Sequence, residues 1–325
     1  MKIILIICGI LLFITIIVNM NIKELFEIFS RVNPYFISIS FIFLIIEILI
    51  RALKIKRIIA IKGNIGYNDC LSIYLMGMPF GAVTPGRIGD LVRVYTIKQR
   101  SGLSMITSLA IWVIDRFMEL IALFSLASTG LFIFLMHKRL NDETLHLMTF
   151  LAGVTIFLVF FVLNLNREWT KQILKVFYQI VVPKGIRNKF GSNINAFYSE
   201  ISSILKSKIA LFNIFILSLL SWIMIAIRGF FYALSIGINI KLIYFVFLIP
   251  IINVVEILPI SIMGIGTRDW TTVFLYSSLG VSKEYGLSLS LMLFTLGLIP
   301  QMLVGYFIAW RKKLFKEEIY GKEKI

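Results

Sequence analysis

Apolar runs of membrane length constrain this chain more than any other feature. Six stretches, roughly 3–19, 34–53, 106–135, 146–165, 209–236 and 286–310, each combine that length with very few charges. A helix needs roughly 20 apolar residues to cross about 30 Å of hydrocarbon. Hydrocarbon offers no water to the backbone, so each isolated segment must bond internally as a helix. The sequence therefore predicts an all-α polytopic membrane protein with six full spans. Composition agrees: 59% of the 325 residues are hydrophobic and the mean hydropathy is +0.92, against about 45–50% apolar residues in soluble domains. The first run, Ile3 to Val18, is long for a signal-peptide core, and no small-x-small cleavage site follows in "VNMNIKE"; it reads as a retained span.

Two further stretches are apolar but interrupted, at about 67–100 and 241–281. The first contains "MPFGAVTPGRIGDLVRVY" (78–95), the second "ILPISIMGIGTRDW" (257–270). Each is an apolar segment, a Gly/Pro break and a second short segment. Irregular backbone at membrane depth is tolerated only when buried in protein or lining a wet cavity. Both are expected to dip into the membrane and return.

The charge pattern sets the orientation. The net charge is +16, and the basic residues cluster beside the apolar runs rather than in a nucleic-acid-binding patch. Arg51, Lys54, Lys56, Arg57 and Lys62 follow the second run. The amphipathic connector at about 167–208 is rich in Lys and Arg. Arg311, Lys312, Lys313 and Lys316 follow the last run. With alternating spans all three groups fall on one side, which predicts both termini in the cytoplasm of a multi-pass cell-membrane protein. A basic inner rim also attracts anionic headgroups. The first dip then enters from inside and the second from outside. Two span–dip–span units, about 34–135 and 209–310, would form an inverted repeat within a single domain covering 1–325, an architecture of many transporters. Kinked full hairpins, with up to about ten crossings, carry the same charge pattern.

The breaks hold the candidate chemistry. In the first, Pro79 and Pro85 interrupt helical bonding, while Gly86 and Gly89 let the backbone bend. Arg87 lies at the break, and Asp90 and Arg93 share a helix face. In the second, Pro259, Gly264 and Gly266 make the break, and Arg268 and Asp269 open the next helix. A helix N-terminus at that depth offers free N–H groups to an anion, and guanidinium binds phosphate through paired hydrogen bonds. Other charges sit inside the runs. Glu47 and Arg51 are four apart; Asp115 and Glu119 share a face, with Arg116 in reach of Glu119; Arg228 and Glu256 are isolated in apolar sequence. A charge at the bilayer centre costs about 2.5–3.5 kcal/mol even on lenient scales, so such residues face partners or cavities. A buried ion-pair network holding the bundle together would use the same residues.

Several functions lack their signatures. Cys8, Cys70, His137 and His146 form no metal or disulfide pattern, so neither metal nor cofactor is expected. No P-loop, dinucleotide fingerprint, serine elbow or HExxH motif occurs, and no enzymatic constellation is recognisable.

"PGRIGDLVR" (85–93), "DRFMEL" (115–120) and "GIGTRDW" (264–270) together resemble the motifs of the lysylphosphatidylglycerol synthase transmembrane-region, or flippase-like, family. The similarity places Gly86, Gly89, Asp90, Arg93, Asp115, Arg116, Gly264, Gly266, Arg268 and Asp269 at the family's motif positions and extends over about 1–315. Family members often carry Glu where this chain has Asp90, Asp115 and Asp269. The resemblance implies a lipid flippase region; in bacterial synthases it is fused to a soluble aminoacyl-transferase domain, which this sequence is expected to lack. The leading expectation is transport of a phospholipid or lipid-linked headgroup between leaflets. Arg87, Arg93, Arg116 and Arg268 would be headgroup ligands, and Asp90, Asp115, Glu119, Glu256 and Asp269 supporting acids. Partners would be membrane lipids with phosphate-bearing headgroups, and no nucleic acid. The alternative is an accessory or catalytic subunit of a glycolipid or lipid-modifying enzyme, with an envelope-biosynthesis enzyme as partner.

Overall fold

The computed structural model describes residues 2–84, 89–137, 194–257, 261 and 263–311, with isolated positions 153, 154, 156 and 172. Nearly all of the expected 146–165 span, most of the connector, and the break residues Pro85, Gly86, Arg87 and Pro259 lie outside the described residues. The described elements are all helices: α1 (Lys2–Val18), α2 (Ile22–Ser30), α3 (Pro34–Ile59), α4 (Tyr67–Ala82), α5 (Val92–Ser101), α6 (Met105–His137), α7 (Ile194–Leu205), α8 (Lys208–Ser235), α9 (Leu242–Ile257), α10 (Thr267–Ser277) and α11 (Lys283–Arg311). The protein is a helical membrane protein. Among the described residues, α3, α8 and α11 are long and apolar enough to cross a bilayer, and α1 with α2 would add one more if the bent pair formed a single span. The 33-residue α6 reaches roughly 50 Å and carries the charges of "DRFMEL".

The boundaries refine the sequence reading in three places. Residues 20–33, between the first two expected spans, contain α2, turned 90° from α1 and capped by the Asn21 side chain, which accepts from Glu24 N at 3.4 Å. Helix α3 runs on to Ile59, so Arg51 and Lys54 are buried helix residues rather than loop charges. Pro79 lies inside α4, which continues to Ala82, and Pro250 lies inside α9.

Helices α3 and α8 form the central antiparallel pair. Asn33 N donates to Ser235 O at 2.8 Å at one end, and Arg57 and Ile61 face Lys208 and Ile209 at the other. Around this pair the two broken segments pack crosswise. Helix α4 lies along the last part of α11, and α9 lies along α6. Each approach passes over a glycine. A β-carbon at Gly305 would fall 2.0 Å from the Leu75 carbonyl oxygen, and one at Gly130 would fall 2.2 Å from Phe247 Cβ. Backbone on one side and a packed ring on the other leave no room to yield. Gly305→Val is therefore expected to destabilise the fold by about 1–3 kcal/mol, the usual range for overpacking. Thermal unfolding in detergent would register it, whereas Val304→Ala, at an exposed position of the same helix, leaves the midpoint in place.

Candidate functional site: an arginine-lined cavity between the broken helices

The charges scattered through the apolar sequence converge. A cavity with about 80 Å³ of water-accessible space is lined, among the described residues, by Arg51, Arg93, Arg116, Arg228 and Arg268 but by only two carboxylates, Glu47 and Glu256. Its remaining wall is mostly apolar or aromatic, including Tyr74 and Trp222. The other acids of the cluster, Asp90, Asp115, Glu119 and Asp269, sit behind the arginines and are buried. With Lys54, six cations meet six carboxylates among the described residues. This set is neutral, yet the face it turns to the cavity is positive.

The network divides into arms. Arg51 pairs with Glu47 at 3.0 Å and with Glu119 across to α6. Glu47 also receives Arg228 Nη1 at 2.6 Å, so it bridges α3 and α8. Lys54 lies 2.9 Å from Asp115 and 3.6 Å from Glu119. Arg116 joins Glu119 at 2.9 Å and Asp90 at 3.1 Å. Guanidinium–ring contacts add to this, with Arg51 over Tyr74 and Trp222, and Arg93 over Tyr74 at 5.1 Å. Such contacts gain strength where water is excluded.

Arg93 projects from α5 across α4, and the sequence of α4 permits it. A β-carbon at Gly77 would fall 2.0 Å from Arg93 Nε, and one at Gly81 would fall 2.3 Å from Asp90 Oδ1. The pair "GMPFG" is thus a two-glycine notch that seats Arg93 and Asp90. Arg93 is nonetheless held loosely. Its Nη2 lies 3.4 Å from Tyr74 O, 3.6 Å from Asp90 and 3.7 Å from Met78 Sδ.

The second break is built differently. Met263, Gly264 and Gly266 all have positive φ, so the chain turns left-handed into α10. A β-carbon at Gly266 would fall 2.5 Å from Gly9 O, so the turn also gives α1 close access. At the N-terminus of α10, Asp269 Oδ2 accepts from Gly266 N at 2.9 Å. The acid three places on in sequence thus closes back on the residue ahead of the helix and sets a negative charge at the positive end of α10. Asp269 Oδ1 also takes Arg268 Nη2 at 2.7 Å and Ser290 Oγ at 2.5 Å. Arg268 Nε donates to Ser290 at 3.1 Å, and the guanidinium lies 4.8 Å over Phe294. Phe294 and Gly297 belong to a π-helical turn, Leu293–Leu298, inside α11. Without a side chain at Gly297, Arg228 can lie against it. Gln301, one turn on, accepts from the Tyr74 hydroxyl at 2.9 Å.

Of the sequence-predicted residues, Glu47, Arg51, Arg93, Arg116, Arg228, Glu256 and Arg268 line one cavity, and Asp90, Asp115, Glu119 and Asp269 back it. Arg87 lies outside the described residues. Lys54, Tyr74, Trp222, Asn253, Ser290 and Gln301 were not singled out. Of these only Lys54, three residues beyond Arg51, leaves a trace in sequence; the seat of Arg93 leaves one in Gly77 and Gly81, four apart. Among the described residues no group of His, Cys, Asp and Glu could hold a metal.

The chain has recognisable relatives. It is 24% identical over 298 residues to a UPF0104 membrane protein from Methanothermobacter thermautotrophicus, a match covering 86% of each chain. No solved structure matches it. A family model for the lysylphosphatidylglycerol synthase transmembrane region matches residues 2–305. With that match spanning both breaks and the cavity between them, the chain belongs to the lysylphosphatidylglycerol synthase transmembrane-region family.

Proposed function

We propose that the protein is a lipid flippase, moving a phospholipid or lipid-linked headgroup between leaflets through the arginine-lined cavity. The observation that carries this reading is the one-sided charge of the cavity: five arginines on its wall and four carboxylates buried behind them. A network serving stability alone gains nothing from turning its cations to an open space, whereas a phosphate-bearing headgroup requires it. The apolar remainder of the wall suits the glycerol and upper acyl region.

An inverted repeat is supported by the crosswise packing of α4 on α11 and α9 on α6, on either side of the antiparallel α3–α8 pair. Helices α4 and α9 have 16 residues each, roughly 24 Å, less than the hydrocarbon thickness of about 30 Å. Re-entry, rather than crossing, fits that length. In this reading, Arg93 and Arg268 meet the headgroup from the two repeats of one membrane domain. Gly89, Gly264 and Gly266, with the prolines of each break, act as hinges, and both termini face the cytoplasm.

The test is a leaflet-accessibility assay in proteoliposomes. Labelled phosphatidylglycerol, its aminoacylated form and a polyprenyl-phosphate sugar are each followed. One of them is expected to equilibrate between leaflets, and Arg93→Ala and Arg268→Ala are each expected to slow it about tenfold or more, the loss of a charge-assisted contact of roughly 1.5–3 kcal/mol. Unchanged movement in both variants would overturn the mechanism. Failure of folded wild-type protein to move any of the three would favour an accessory subunit of an envelope enzyme.

A further inference from the structure

We propose that the basic end of the α3–α8 pair carries a second lipid site, an open pocket in which Arg57, Lys206 and Lys208 hold the phosphate of an anionic phospholipid. The pocket shares no described lining residue with the arginine-lined cavity, and the inference does not depend on the flippase reading.

Two segments far apart in sequence form the pocket. Arg57 and Ile61 come from the end of α3 and the turn after it, and Lys206, Ser207, Lys208 and Ile209 from the turn into α8. Between them lie about 830 Å³ of water-accessible space, room for a phospholipid headgroup. The described lining holds three cations and no carboxylate. All three cations are exposed, and none has a side-chain hydrogen bond or ion pair among the described residues. The acid on the adjoining helix is committed elsewhere. Glu200 of α7 lies 2.9 Å from Lys62 Nζ, which also donates to Ser203 Oγ at 2.6 Å. That clasp ties α7 to the segment after α3 and so positions the turn that bears Lys206. Like charges gathered in one pocket repel one another, and an anion between them relieves the repulsion. Ser207 spends no side-chain oxygen on capping α8, which leaves its hydroxyl for the same ligand.

The surroundings select a lipid over a free anion. Ile209, in the pocket wall, is 81% exposed, and Phe212, on the next stretch of α8, is 63% exposed. Helix α8 is long and apolar enough to cross a bilayer, so these side chains stand where a span enters the hydrocarbon. A phosphate on Lys206 and Lys208, with its acyl chains against Ile209 and Phe212, satisfies the charges and covers the apolar surface together. A soluble anion does only the first. Basic pockets between spans at the membrane edge suit anionic headgroups for this reason. Because the lining comes from both α3 and α8, a lipid held there joins the central pair at that end and stabilises the folded bundle by mass action.

The test counts lipids on the full chain by native mass spectrometry in neutral detergent, where no charged membrane surface contributes. Dioleoyl phosphatidylglycerol and dioleoyl phosphatidylcholine are titrated in parallel. The pocket is expected to prefer phosphatidylglycerol, and Lys206→Gln with Lys208→Gln to lose one bound phosphatidylglycerol per chain, its affinity falling about twentyfold at roughly fivefold for each basic residue. Arg57→Gln is expected to weaken the same lipid about fivefold. Phosphatidylglycerol should raise the thermal midpoint of the wild-type protein and not that of the double lysine variant, whose midpoint without lipid stays in place because the removed groups bond to nothing else described. Lys98→Gln, at an exposed position in the last turn of α5 outside the pocket, should leave the count unchanged; a loss equal to that of the pocket lysines would mean diffuse charge and overturn the site. Arg93→Ala with Arg268→Ala should keep this lipid. Loss of all phosphatidylglycerol there, with none lost in the lysine variant, would place the binding in the central cavity and overturn the pocket while sparing the flippase reading. Retention there, with no translocation by wild-type protein, would do the reverse. Equal binding of phosphatidylcholine, or displacement of the lipid by inorganic phosphate at equal concentration, would overturn the anionic-lipid assignment.

Discussion

Glu119→Ala is expected to cost about 3–5 kcal/mol, the usual penalty for breaking a buried charge pair from one side, and to leave little folded protein in detergent. Glu119 is the acid on which the network converges. It takes Arg51 from α3, Arg116 at 2.9 Å on its own helix, and faces Lys54 at 3.6 Å. Each cation keeps one other carboxylate, Glu47, Asp90 or Asp115, but the cluster as a whole would hold one uncompensated positive charge in a buried site. A folded state worth about 5–15 kcal/mol loses a large fraction of its margin to that. Size-exclusion profiles and thermal midpoints would read the effect. The diagnostic arm is the double variant Glu119→Gln with Lys54→Met, which removes one charge of each sign at nearly constant volume. It is expected to recover most of the loss, since well-packed neutral replacements of buried pairs are often neutral or stabilising. Glu27→Ala breaks the exposed pair with Arg31 and is expected to shift stability by less than about 1 kcal/mol. A wild-type midpoint for Glu119→Ala would show that the network does not hold the bundle.

The fate of Lys54 shows what the sequence could and could not disclose. In sequence it is one of five basic residues after an apolar run, and the topological reading absorbs all five. In the structure it lies one turn beyond Arg51 on a helix that does not stop there, facing Asp115. Nothing in the order of residues distinguishes a buried lysine from an interfacial one; the distinction comes from α6 passing alongside. The breaks are the opposite case. Proline, glycine and a local change of periodicity are properties of adjacent residues, so both breaks, and the arginine and aspartate beside each, were legible. The cap on α10 lies between these cases. The spacing of Gly266 and Asp269 fits a cap, but the same aspartate three residues from Gly266 could equally have faced a ligand, and only the hydrogen bond from Gly266 N decides. The π-helical turn in α11 has no local signature beyond Gly297, and the partner that lies against that glycine, Arg228, comes from another helix. Cavity wall and charge order were thus readable to the extent that they are local, and hidden where they depend on which helices meet.

Under the proposed flippase function, Gly77→Ala is expected to abolish most transport without unfolding the protein, and it tests the seat of Arg93 more sharply than removing the arginine does. Gly77 is buried in the middle of α4. Alanine at such a position improves helix propensity by about 0.8–1.0 kcal/mol, so α4 itself has no reason to fail. The new methyl would lie 2.0 Å from Arg93 Nε, 2.6 Å from Cγ and 2.8 Å from Cδ. The middle of the side chain, not its tip, is in the way, and a small rotation cannot relieve the contact. Arg93 must lift off α4 and surrender its place over the Tyr74 ring. Translocation is expected to fall about as far as in Arg93→Ala, roughly tenfold or more for loss of a charge-assisted contact. The decisive measurement is the cycle. If glycine acts only by seating the arginine, Gly77→Ala combined with Arg93→Ala is no slower than Arg93→Ala alone, because the methyl then has nothing to displace. Residues in direct contact are where additivity breaks down. Fully multiplied losses in the double variant would mean that Gly77 serves some other contact, and the two-glycine notch would no longer explain how an arginine from a short helix reaches the cavity.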